Sequence, residues 1–96
     1  MKPVKTTVWD PAKYLETDEQ VAIYLEDIFK SGDPELIVTA IGDVARARGM
    51  SKIADETNRG RESLYKSLSQ NGNPSFETVL KVLGSLGFCL RPDPVG

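Results

Sequence analysis

Arg61, Glu62, Tyr65 and Lys66 share one short run with Leu64 and Leu68. On a helix, the two leucines, at i and i+4, fall on one face. The four polar residues then remain for the outer face. This set suits recognition chemistry. A guanidinium can bond a guanine edge with two hydrogen bonds, and a carboxylate can accept from a cytosine amino group. An ammonium can meet a phosphate, and a phenol ring can touch a phosphate or a thymine methyl. The set is poorly equipped for catalysis. The chain has no histidine and one cysteine, Cys89, so the commonest general base and the commonest metal ligand are missing. Cys89 has no histidine to activate it and is expected as a buried or strand residue. No enzymatic activity, cofactor or metal site is expected, and an enzyme built on carboxylates stands as a third class of reading.

A reading face of this kind must be held by a second helix. A helix-turn-helix needs a small residue early in its first helix, where the second helix crosses, and a left-handed residue at the turn. Residues 51–57 and 61–68 read as two short helices, separated by Asn58-Arg59-Gly60. Ile53-Ala54 supplies the inner and the small residue. Asn58 tolerates the left-handed conformation better than most side chains. The motif thus spans residues 50–68. Arg61 and Lys66 could be ordinary solvated charges, but on the outer face of such a second helix DNA contact is favoured, Arg61 at a base and Lys66 at a phosphate. Glu62 either reads cytosine or balances its cationic neighbours. Tyr65 either packs at the core edge or touches the duplex. Ser51 and Lys52, at a helix N-terminus, suit a phosphate through free N–H groups, and Ser51 can also be a plain N-cap. Asn71 and Asn73 are turn residues first and phosphate contacts second.

The rest of the chain reads as further helices. Thr17-Asp18-Glu19-Gln20 is a capping box, followed by Val21, Tyr24, Leu25, Ile28 and Phe29 on one helical face and stopped by Ser31-Gly32. Asp33-Pro34 starts the next helix, with Leu36, Ile37, Ala40, Ile41, Val44 and Ala45 as its stripe, and Gly49 closes it. Gly42, inside that helix, reads as a site of close packing. Ser75 caps a last helix whose expected stripe is Phe76, Val79, Leu80, Leu83 and Leu86. Residues 88–91 could form one short strand. Near the N-terminus, residues 4–9 alternate as a strand or extended arm would, with Trp9 as a core plug or a partner anchor. Asp10-Pro11 starts a short helical turn.

At 96 residues the chain has one domain's worth of sequence, and no interior linker interrupts it. A lone cysteine cannot build a disulfide framework, so a cytoplasmic setting is expected. No apolar run is long enough to span a membrane and no signal-peptide core is present. Net charge is -2, but residues 1–43 carry four cations against nine anions, whereas residues 44–96 carry eight cations against five anions. The basic half is the one that holds the reading motif, and a local basic face is what DNA binding requires.

Gly49-Met50-Ser51-Lys52-Ile53-Ala54, Arg61-Glu62-Ser63-Leu64-Tyr65-Lys66, Gly72-Asn73-Pro74-Ser75-Phe76 and Val79-Leu80-Lys81-Val82-Leu83 resemble the addiction-module antidote proteins, HigA-like antitoxins with a phage-repressor type helix-turn-helix. Trp9-Asp10-Pro11 and Tyr14-Leu15 resemble the same family, so the likeness covers about residues 7–90. It implies an all-α, compact five-helix bundle. It also implies an antitoxin that neutralises a RelE/ParE-like toxin, and a homodimer that represses its own operon from a palindromic operator. The alternative is a stand-alone phage-type transcriptional repressor without a toxin. The turn departs from the pattern. Asn58-Arg59-Gly60 replaces a glycine, an apolar residue and a serine, so either DNA affinity is altered or Arg59 has moved outward to meet phosphate. Residues 1–33 are surplus to DNA reading and acidic. Asp18, Glu19, Glu26 and Asp27 are either a plain solvated face or a docking surface for a basic toxin. The arm at residues 4–9 either folds back onto its own helices or adds to a partner's sheet edge. Residues 88–90 are the first expectation for a dimer surface.

Overall fold

The computed structural model describes residues 15–95. Within them are five helices: α1 (Asp18–Lys30), α2 (Pro34–Arg48), α3 (Met50–Thr57), α4 (Arg61–Ser67) and α5 (Phe76–Ser85). The expected arm at residues 4–9 and the turn started by Asp10-Pro11 lie outside the described residues.

Local chemistry accounts for the boundaries. Thr17 Oγ1 accepts from the Gln20 backbone N–H at 3.1 Å, and Gln20 Oε1 accepts from the Thr17 N–H at 3.1 Å, closing the capping box of α1. Asp33 Oδ1 accepts from the N–H groups of Glu35 and Leu36 at 3.1 and 3.4 Å, and Pro34 occupies the first position of α2. Ser75 caps α5 by accepting from the Thr78 N–H at 3.0 Å. Gly49, at φ 109°, ends α2 and caps α3 at once, a backbone conformation that side chains rarely adopt. Because α3 begins at Met50, Ser51 lies inside the first turn and is not the N-cap residue.

Leu15, Val21, Leu25, Ile41, Val44, Met50, Ile53, Leu64, Leu68, Val82 and Leu83 form one buried cluster. Helix α1 packs on α2, α3 meets α2 and α4, and α5 packs on α3. Arg48 Nη2 reaches Asp18 Oδ1 at 2.7 Å and ties the end of α2 to the start of α1. Gly42 is buried, and a Cβ built there would run into the Leu68 carbonyl oxygen. The close packing expected at Gly42 is therefore the meeting of α2 with the backbone just after α4.

Three expectations need correction. Phe76 and Leu80 are not core: they are 67% and 40% exposed, while Val79, Val82, Leu83 and Leu86 face inward. The apolar arc of α5 is wider than the face it can bury against α3. Leu36 is likewise exposed, on the first turn of α2. Residues 88–91 form no strand, and Cys89 is exposed. A strand needs a partner, and none is offered among the described residues. No helix among the described residues is long and apolar enough to cross a membrane.

Candidate nucleic-acid interface

The α3–α4 pair is built around a short turn. Asn58 ends α3 in the left-handed region at φ 57° and ψ 41°, and the Arg59 N–H bonds the Ala54 carbonyl at 3.0 Å. Ile53, Ala54 and Thr57 are buried on α3, and Leu64 and Leu68 are buried at the facing side of the pair. Thr57 is the one buried polar residue among those described, and its hydroxyl donates to the Ile53 carbonyl at 2.7 Å, so it is satisfied. Gly60 caps α4 without a side chain.

With its leucines buried, α4 presents Arg61, Glu62, Tyr65 and Lys66 outward, all four exposed. Ser51 and Lys52 are exposed on the first turn of α3. The structure brings two of these residues together: Arg61 Nη1 donates to Ser51 Oγ at 3.0 Å. Lys52, Glu62 and Lys66 make no ion pair among the described residues, so their charges are open to a ligand. Asn73 is exposed in the loop after α4, on the rim of a depression of about 480 Å³ lined also by Ser63, Lys66, Ser69 and Asn71.

Arg59 is placed differently. It is half-buried, its Nη2 lies 3.6 Å from Glu77 Oε2 on α5, and its Nε is buried without a hydrogen-bond partner. The stem of Arg59 thus fills the turn where an apolar residue was expected, with its charged end drawn to α5. Lys81 Nζ also reaches Glu77 Oε2, at 3.1 Å. The Lys81 hydrogen bond, with the charges of Lys81 and Arg59, holds the Glu77 carboxyl below its usual range.

Two features escaped sequence reading. The Arg46 guanidinium lies over the Tyr65 ring, 5.7 Å from its centroid, a cation–π contact between α2 and α4. Tyr65 is 41% exposed: part of the ring is covered and part faces out. Arg46 also reaches Asp43 Oδ1 at 3.5 Å, and the Tyr24 hydroxyl donates to Asp43 Oδ2 at 3.4 Å. Burial pushes the Asp43 carboxyl up despite Arg46 and the Tyr24 hydrogen bond, and burial together with the Asp43 charge pushes the Tyr24 phenol up to about 12. The second feature is the set of small hydroxyls around Lys66. Ser69 Oγ donates to the Lys66 carbonyl at 2.7 Å and holds the end of α4 in place. The only sequence signal for it was the density of turn formers at residues 69–74.

The arrangement offers fixed hydrogen-bond donors and open cations on one side of a short helix, with no group of three or more Cys, Asp or Glu placed to hold a metal ion among the described residues. Side chains of this kind can meet an anionic ligand such as a phosphate. A protein of Haemophilus influenzae (strain Rd), described as uncharacterized, is 47% identical over 78 residues, 81% of this chain and 80% of the relative. No solved structure matches the chain. The family described as "probable addiction module antidote protein" matches residues 5–94. With nearly the whole sequence covered by that match, the chain belongs to the probable addiction module antidote proteins, a non-enzymatic family of antitoxins that implies a toxin partner.

Proposed function

We propose that this antidote neutralises a RelE/ParE-like toxin by stoichiometric binding, and that as a homodimer it represses its own operon from a palindromic operator. In this reading α3 and α4 are a helix-turn-helix of the phage-repressor type, within a single cytoplasmic domain. Helix α4 enters the major groove, where Arg61, Glu62 and Tyr65 meet base edges and Lys66 meets phosphate. Ser51 and Lys52 hold phosphate at the start of α3, Asn73 does so after α4, and Arg59 adds a contact when DNA draws it from Glu77.

The observation that carries the DNA reading is the division of α4 into a buried Leu64 and an exposed Arg61, Glu62, Tyr65 and Lys66. The toxin reading is supported by α1, whose outward side holds Glu19, Ile23, Glu26 and Asp27, with Ile23 69% exposed. A basic, RNA-binding toxin is complementary to an acidic surface with an apolar anchor. Family membership favours this reading over a stand-alone repressor.

The test is co-expression with the toxin encoded beside the gene. The chain should rescue growth and co-purify with the toxin, and a reporter fused to its own promoter should be repressed. Rescue without repression would remove the DNA half of the proposal. Repression without any toxin to rescue from would leave a stand-alone repressor.

A further inference from the structure

Phe76, Leu80 and Gly84 recur every four residues along α5 and make one ridge on its outward flank. Phe76 is 67% exposed, Leu80 is 40% exposed, and a Cβ built on Gly84 would meet nothing within 4 Å. Two large apolar side chains in succession on one flank leave apolar surface that a partner can cover. We infer that this ridge is where two copies of the chain pair, α5 against α5 across a two-fold axis at Leu80. The inference rests on the reading of the chain as a dimeric DNA binder and deepens it by naming the surface.

The argument for a second copy is self-complementarity, which an isologous contact demands. In an antiparallel pairing centred on Leu80, the two Leu80 side chains meet each other. Phe76 and Gly84 stand about 6 Å on either side of Leu80 along the helix. Phe76 of one copy therefore lies over Gly84 of the other, a large ring against an absent side chain, and this happens twice. Glu77 and Lys81 run beside the ridge, so the pairing brings Lys81 of each copy toward Glu77 of the other. A patch with both signs in this order suits itself. The outward side of α1, with its acids, suits a basic protein instead.

The position also fits the DNA reading. Arg59 on the α3–α4 turn is paired to Glu77 in the first turn of α5, and α5 packs on α3. An axis through α5 therefore sets the separation of the two α4 helices. The ridge is short, so the pair is weak in free solution and tightens when both copies hold one palindrome, through effective concentration.

The test is disulfide trapping of the full chain without DNA, which leaves the result independent of the DNA reading. In a Cys89→Ser background, Leu80→Cys should give a covalent dimer under mild oxidation, because residues on the axis come within disulfide reach. Ile23→Cys, more open to solvent but on α1, should remain monomeric. Adding Gly84→Gln to Leu80→Cys should suppress trapping at least tenfold while raising Tm, since glutamine is the better helix former. Gly84→Gln alone should weaken binding to a palindromic duplex but not to a half-site. The inference is overturned if Leu80→Cys traps no faster than Ile23→Cys, or if Gly84→Gln leaves trapping unchanged. It is equally overturned if Leu80→Glu abolishes toxin capture without altering self-association, which would give the ridge to the toxin.

Discussion

Arg61 on α4 donates to the hydroxyl of Ser51 on α3 at 3.0 Å, so the guanidinium that would read a base is held by the helix that would hold phosphate. Ser51 is exposed and is not a helix cap, so Ser51→Ala should leave Tm within about 0.5 kcal/mol equivalent of the parent. Its effect should fall on DNA. Arg61→Ala should cost about 1–3 kcal/mol of operator affinity. Ser51→Ala should cost less, and less again once Arg61 is gone. A double-mutant cycle by fluorescence anisotropy measures this coupling. Strictly additive costs would show that the contact is not kept on DNA.

Arg59 is partnered by Glu77 at 3.6 Å, and Glu77 is shared with Lys81 at 3.1 Å. Glu77→Gln should release Arg59 toward the duplex. Binding to a half-site fragment, chosen to leave dimerisation aside, should tighten severalfold, and the salt slope should steepen by about one unit. An unchanged slope would place Arg59 off the phosphate path.

The contact of Gly42 with the Leu68 carbonyl leaves no room for a methyl group. Gly42→Ala should therefore destabilise by about 1–3 kcal/mol, although alanine is the better helix former. At Asn58, φ 57° favours Asn or Gly. Asn58→Gly should be near neutral and Asn58→Ala should cost about 1 kcal/mol. Chemical denaturation checks both sites. A stabilising Gly42→Ala would mean that α2 and the end of α4 do not meet there.

The Tyr24 phenol is pushed up to about 12, first by burial and then by the Asp43 charge beside it. Its neutral form is therefore favoured in the folded chain. The stability it contributes is fully present below the ordinary phenol value of about 10, and is lost as pH rises from there toward 12. Wild type should lose stability relative to Tyr24→Phe across that interval. The difference between their ultraviolet titrations should show one phenol ionising near 12. A step near 10 would show that the hydroxyl is neither buried nor faced by the Asp43 charge.

Sequence punctuation located the helices because caps are local. The Thr17–Gln20 box, Asp33-Pro34 and Ser75 act within one turn of chain. The outward face of α4 was legible for a similar reason, since Leu64 and Leu68 fix which side is buried. The error at Phe76 and Leu80 has a physical cause. A helical period defines an apolar arc, but how much of that arc is covered depends on the neighbour, here α3. Residues 88–91 looked strand-like by composition, yet pairing is a tertiary property. The Arg46–Tyr65 and Arg59–Glu77 contacts join residues far apart in sequence, and no local pattern announces them.

The central claim is that the exposed face of α4 reads the operator. The most direct measurement is the binding of the full chain to a duplex from its own promoter and to a scrambled duplex, across a salt series, for wild type, Arg61→Ala and Lys66→Ala. Wild type should prefer the promoter by about 10³-fold or more. Arg61→Ala should lose most of its affinity on the promoter alone. Lys66→Ala should weaken both duplexes alike and reduce the salt slope by about one unit. Promoter binding by both variants at wild-type strength and with the wild-type salt slope would contradict the account.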